Sequence, residues 1–253
     1  MYTDIYINVF NSCHEEVSGV NDRPTQNLSV LRRELKFYVS YADYLHLKSL
    51  LSCVLSRDAH AEKQSDYFIR SLYFDSFDNV DYHEKIAGLN RRKKIRLRIY
   101  DPMQDWAKLE IKNKWGNFSY KESAMVDVNT ACSLAMQNYD VLKSTDNTIL
   151  QKTHRIFSLG QYRPVVIVDY EREAYTYPEN NVRITFDKNI RGAKSIDMFS
   201  LDLPTVPVLK ENTMVLEVKY TGNLPETIKH LLSAVDAVPS SISKYCLSRE
   251  ILY

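Results

Sequence analysis

Glycine is scarce in this chain, with six in 253 residues. Neither GxxxxGKS, GxxxxGKT nor GxGxxG occurs. No glycine-rich backbone cradle for phosphates is therefore visible, and a phosphate would have to be gripped by side chains. The four cysteines, Cys13, Cys53, Cys132 and Cys246, stand far apart and form no CxxC pair. That spacing argues against a zinc site or a disulfide frame and fits reduced cytosolic thiols. His14, His46, His60, His83, His154 and His230 show no ligand spacing and are read as structural or exposed. No apolar run approaches the ~20 residues that a membrane-spanning helix needs. The opening MYTDIYINVFNSCHEE lacks a basic segment followed by an apolar one, so it is not read as a secretory signal. An excess of one charge sign is also missing, since the formal net charge is +1. This argues against a general nucleic-acid binder and makes any basic site a local one, balanced by acids elsewhere. A cytoplasmic protein is expected, at most peripheral at the inner face of a membrane.

Strand-like alternation, by contrast, is plentiful. Residues 1–28 read as a polar, turn-rich lead in which YINVF could add an edge strand; residues 29–253 read as one domain. Strands are expected at LRRELKFYVS, FIRSLYFDS, RRKKIRLRIY, RPVVIVDYEREAY, NVRITFDKNI and TMVLEVKYTG. WAKLEIKNKWGNFSYKESAMV suggests a hairpin turning at Gly116-Asn117. Helical spacing marks YADYLHLKSLLSCVL, capped by Ser40, then DNVDYHEKIAG, two stretches within 129–159, and the terminal LPETIKHLLSAV and SISKYCLSREIL. About eight strands without βαβ alternation point to an antiparallel α+β sheet or barrel.

Several of these strands share an unusual pattern. In KKIRLRIY, Arg96 and Arg98 alternate with branched apolar residues. Glu34 and Lys36 share a face, as do Lys108, Glu110, Lys112 and Lys114, then Arg183, Thr185 and Asp187, then Glu217 and Lys219. A solvated outer face usually mixes Ser, Thr, Gln and Lys; here Arg, Lys and Glu recur on strand after strand. One reading is an ordinary half-buried sheet with a solvated side. The other places the apolar sides outward under helices, so that the charged sides face one another across a closed or nearly closed sheet. Such a lining suits a polyanion held by charge-assisted hydrogen bonds, with the glutamates holding a hard divalent cation through oxygen. The many tyrosines, with Trp106 and Trp115, are read as packing residues, and the NRRKK run as a basic turn or the rim of a tunnel mouth.

Taken in order, ELKFY, SLYFD, KIRLRIY, LEIKNK, FSYKES, DYEREAY, VRITFD, VLEVKY and ISKY resemble the VTC domain, the polyphosphate polymerase branch of the triphosphate tunnel metalloenzymes, also called CYTH-like. The resemblance runs from about Arg32 to the C-terminus. It implies an antiparallel eight-stranded β-barrel, the triphosphate tunnel fold, with flanking helices and a C-terminal helix. It further implies transfer of the terminal phosphoryl group of ATP to a growing polyphosphate chain, with Mn2+ or Mg2+ as cofactor. The alternatives are a triphosphatase in the same tunnel and a non-catalytic polyphosphate or nucleotide sensor.

Carried onto this chain, the resemblance implies a phosphate-handling set of Lys36, Arg96, Arg98, Lys112, Lys121, Arg172 and Arg183. Lys219, Lys108, Ser243 and Lys244 are added as substrate phosphate contacts. Metal ligation is assigned to Glu217, with Glu110 and Glu34; Ser243 could equally be a helix cap, and Asp187 is read as structural. Two departures stand out. The superfamily opens on ExExK, whereas Arg32 occupies the first acidic position here; and Ser241 stands where the family often carries a base. ATP and inorganic polyphosphate or triphosphate are the expected partners, not nucleic acid. Any membrane role is expected to need a separate membrane protein, since no fused SPX or membrane segment is seen.

Overall fold

Ser40 ends the first strand and begins the first helix. Its hydroxyl accepts the Asp43 N–H at 3.1 Å, while the Asp43 carboxylate accepts the Ser40 N–H at 3.0 Å. This reciprocal capping box satisfies donors that the helix's first turn leaves unpaired. The computed structural model describes residues 32–58, 66–116 and 118–253. The lead at 1–28, the first residues of the expected domain and Asn117 of the expected turn lie outside the described residues. Gly116, at φ 57°, takes the left-handed conformation a tight hairpin needs.

The long strands in chain order are β1 (Arg32–Ser40), β3 (Tyr67–Asp75), β4 (Arg91–Ile99), β5 (Trp106–Trp115), β6 (Phe118–Asp127), β7 (Arg163–Tyr177), β8 (Val182–Ala193) and β10 (Thr213–Thr221). Two short ones, β2 (Ser56–Arg57) and β9 (Val206–Pro207), are too brief to show alternation in the sequence. The helices are α1 (Tyr41–Val54), α2 (Val80–Ile86), α3 (Val128–Ala135), α4 (Thr148–Leu159), α5 (Glu226–Leu232) and α6 (Lys244–Leu252). Among the described residues, no helix is long and apolar enough to cross a membrane.

All pairings are antiparallel, in the order β1-β10-β8-β7-β3-β4-β5-β6, with β2 on β7 and β9 on β8. Register shifts interrupt the β3–β7 and β7–β8 ladders, and bulges bend a strand and sharpen its twist. The expected α+β class therefore holds, but among the described residues no ladder joins β6 back to β1. Side chains span that seam instead. Lys112 on β5 reaches Glu34 on β1 at 3.0 Å. The segment 240–243 also hydrogen-bonds β1, Ser240 N–H to the Lys36 carbonyl at 2.7 Å, and meets Lys85 and Lys94 from the other side. These contacts hold 240–243 in a non-helical path, so the terminal helix begins at Lys244 rather than at Ser241.

Two apolar layers cover the outside of the sheet. Leu72, Ile95, Leu97, Leu109 and Ile111 pack with Leu134 of α3 and Phe157 of α4. Phe37, Val39, Ile184, Phe186, Leu216 and Val218 pack with Leu47 and Leu51 of α1 and Ile228 of α5. Each such side chain contributes about 1.5–3 kcal/mol on burial. The third cluster lies on the concave side, where Ile242, Tyr245 and Cys246 meet Ile69, Tyr73, Val166, Val168 and Val215. Tyr245 stacks on Tyr73 with ring centroids 5.1 Å apart and donates its hydroxyl to the buried Asp75. Helix α6 thus fills part of the concave face and leaves the rest to charged groups.

Tyr245→Phe keeps the stack and loses the hydrogen bond to a charged acceptor. It is expected to destabilise by about 1.5–3 kcal/mol, and Tyr245→Ala by about 3–5 kcal/mol, in urea unfolding. Equal stability of Tyr245→Phe and the unaltered protein would mean that Asp75 does not anchor the helix.

Candidate functional site

Strand register gathers the charged side chains on one face. Lys36 lies opposite Glu217 and Glu34 opposite Lys219 on the β1–β10 ladder. Glu217 lies opposite Thr185, and Lys219 opposite Arg183, on β10–β8. Asp187 faces Arg172 on β8–β7. Arg96 faces Tyr73 on β4–β3 and Glu110 on β4–β5, Arg98 faces Lys108, and Lys112 faces Lys121. Residues directly opposite point to the same side of an antiparallel pair, so these belong to the concave face. Lys36, Lys108, Lys112, Lys121, Arg96, Arg98, Arg172, Arg183, Lys219, Glu34, Glu110 and Glu217 are therefore all brought together there. Ser243 and Lys244 reach the same face from the start of α6.

The cations are held by carboxylates rather than left to repel. Glu110, 2% exposed, takes Arg96 at 2.6 Å, Lys121 at 3.0 Å and Arg98 at 3.9 Å. Asp187, fully buried, takes the Arg172 guanidinium bidentately at 2.6 and 2.8 Å and also pairs with Lys244. Glu217 takes Lys219 at 3.0 Å and Arg172 at 3.5 Å. Glu34 holds Lys36 at 2.8 Å and Lys112 at 3.0 Å. Arg183 pairs with Asp58 at 2.7 Å and donates to the Tyr67 hydroxyl at 3.1 Å. Arg98 donates to Ser71 and Tyr170, and Lys244 lies over the Tyr170 ring at 4.8 Å. Lys108 makes no ion pair with a described residue. Ser243 is a cap, its hydroxyl accepting from the Cys246 N–H at 3.3 Å and from Lys94 at 2.6 Å.

These pairs set the protonation states. Burial pushes Glu217 up, but Lys219, Lys36, Arg172 and Lys244 together hold its carboxyl well below the usual range. Burial likewise opposes ionisation of Asp187, and Arg172 and Lys244 outweigh it, bringing the group to about 2. Glu110 is depressed in the same way by Arg96, Arg98 and Lys121. Lys219 is drawn down to about 8 chiefly by burial.

Lys94 is the functional candidate that the sequence reading passed over. It sits opposite Lys112 on the concave face and touches no carboxylate among the described residues. Burial, together with Lys36, Lys85 and Lys112 nearby, lowers it to about 7. Its place was legible in the Lys94-Ile95-Arg96-Leu97-Arg98 alternation, which continues one step beyond the pair of arginines. Thr185 stood on the same face in the sequence, between Arg183 and Asp187, but was assigned no role.

Among the described residues no group of three or more His, Cys, Asp and Glu side chains forms a cation cage. Glu34 and Glu217 are close enough to feel each other's charge. As oxygen donors they are of the kind that a hard divalent cation takes. Glu110 belongs to the separate cluster around Arg96 and Lys121.

The VTC domain family matches residues 31–253. The chain belongs to that family. No curated protein compared with it matches. Among solved structures, it is similar to a Hippeastrum protein described as a candidate adenylyl cyclase with a dominant triphosphatase activity (15% identity, 86% of this chain and 94% of that one, TM-score 0.49). A Bacillus halodurans protein described as a candidate adenylate cyclase follows (14%, 83% and 92%, TM-score 0.47). The Mimivirus capping-enzyme triphosphatase is more distant (11%, 81% and 87%, TM-score 0.35).

The position of Lys94 in this VTC domain has a consequence for pH. Between about 7 and the ordinary lysine value of 10.5, the unfolded chain carries a proton here that the folded form lacks. Through this group, stability rises with pH across that window. Lys94→Met should therefore raise the melting temperature most at pH 7 and below, with the gain vanishing above about pH 10.5. A gain independent of pH in thermal melts would contradict this assignment.

Proposed function

We propose that this VTC domain is a metal-dependent polyphosphate polymerase, moving the terminal phosphoryl group of ATP onto the end of an inorganic polyphosphate chain. The supporting observation is the single concave face on which basic side chains from seven strands and α6 converge, outnumbering the carboxylates between them. A lining of that kind matches a ligand with many negative charges along its length.

In this reading Arg96, Arg98, Lys112, Arg172 and Arg183 clamp the phosphates of the donor, with arginine forks suited to paired oxygens. Glu217 and Glu34 would hold Mn2+ or Mg2+, which would supply Lewis-acid stabilisation of the charge developing on the leaving diphosphate. Glu110 keeps Arg96, Arg98 and Lys121 oriented. The acceptor's terminal phosphate is already an oxyanion, so no strong general base is needed. Its obstacle is repulsion from the donor, which Lys36, Lys121, Lys219, Lys108 and Lys244 screen while aligning it. One acceptor oxygen forms a bond to the γ-phosphorus as the bond to the ADP oxygen breaks. ADP leaves and the chain is one phosphate longer.

Incubation with ATP and Mn2+ or Mg2+, followed by separation of products by length, tests this. Long chains with matching ADP are expected. Free phosphate without chains would make the protein a hydrolase, and binding without turnover a sensor. Glu217→Gln should lower turnover by about 100-fold or more while triphosphate binding largely persists. Full activity in that variant would remove Glu217 from the mechanism.

A further inference from the structure

Thr185 is 1% exposed, and among the described residues its hydroxyl oxygen has no hydrogen-bond partner. A buried hydroxyl left unpaired is costly, so its location is informative. Register sets Thr185 directly opposite Glu217 on β10 and opposite Ala174 on β7. Ala174 offers no polar atom on its side chain, which leaves Glu217 as the acceptor at cross-strand distance. Arg183 and Asp187 flank Thr185 two residues away on the same face. Yet the Glu217 carboxylate is turned toward cations, one oxygen to Lys219 at 3.0 Å and the other to Arg172 at 3.5 Å.

We infer that Thr185 is a positioning residue that takes over Glu217 by hydrogen bonding when a phosphate ligand draws Lys219 and Arg172 away. This rests on the phosphate reading above. The physical argument is one of exchange. A polyanion entering the face without a metal ion competes with Glu217 for these two cations, and leaves the buried carboxylate only the more distant Lys36 and Lys244. A neutral donor already in place, and satisfied by nothing else, offsets that loss without attracting the ligand's charge to itself. The hydroxyl thus gains Glu217 as its partner on ligand binding.

The test uses inorganic triphosphate as probe, with calorimetric binding in the full chain and thermal melts with and without it. Thr185→Val preserves shape and strand preference, and its melting temperature without ligand should equal or exceed that of the unaltered protein. Its triphosphate affinity should fall about tenfold, the scale of one charge-assisted hydrogen bond. Thr185→Ser should restore the affinity. In a Glu217→Gln background, where position 217 no longer competes for the cations, Thr185→Val should have no further effect on binding. Unchanged affinity in Thr185→Val, failure of Thr185→Ser to restore it, or an equal loss in the Glu217→Gln background would each overturn the inference. Failure of the unaltered protein to bind triphosphate would instead overturn the phosphate reading, and this inference with it.

Discussion

Charge compensation inside a curled sheet is the constraint on which this structure rests. Glu110, Asp187 and Glu217 are buried carboxylates, each bracketed by two or more cations. A buried ion loses several kcal/mol of hydration, and only close, well-oriented partners return it. The cations have the same problem in mirror image, since Arg98 and Arg172 are both nearly covered. Neither set would be tolerated alone. Period two forces them together: the apolar residues on alternate positions must face outward under α1, α3, α4 and α5, which leaves the intervening residues only the concave side. The core and the site are two readings of one alternation.

That is why so much was legible before any coordinates. The long strands announce themselves by alternation, Ser40 by the helix that follows it, and the shared face by the recurrence of Arg, Lys and Glu at the same parity. What escaped the sequence reading was non-local. Whether Glu110 would pair with cations or sit beside Glu217 depends on the β4–β5 register that sets it against Arg96. The seam between β1 and β6 is bridged by Lys112 and by residues 240–243, a contact between segments about as far apart in sequence as the domain allows. Lys94 followed the alternation but adjoined a basic run, and two explanations competed for it. Thr185 shared the parity of Arg183 and Asp187, but what sets it apart, a hydroxyl without a partner among the described residues, is a property of the fold.

Helix α6 gives the face its asymmetry. Tyr245 and Ile242 fill one part with apolar packing anchored to Asp75, while Lys244, at the helix start, reaches Asp187 at the edge of the charged part. The cleft is therefore dry at one side and ionic at the other. The boundary between them is held by a residue that belongs to both, because the turn at Ser243 fixes Tyr245 and Lys244 in the same cap. A shift of α6 would change packing and electrostatics at once.

The internal ion pairs also bear on how such a face could serve a polymer. A cluster of bare arginines and lysines would bind a polyanion tightly and release it slowly. On the reading proposed above, a ligand would have to compete with Glu34, Glu110, Asp187 and Glu217 for their cations, so part of each new contact would be offset by one given up. Every phosphate along a chain faces the same exchange, and every exchange is reversible. Affinity is then spread over many replaceable contacts rather than concentrated in one. A chain held that way can advance by one unit after each transfer without first dissociating. A hydrolase with a short substrate gains little from this arrangement, whereas an enzyme that must hold its product as its next substrate depends on it.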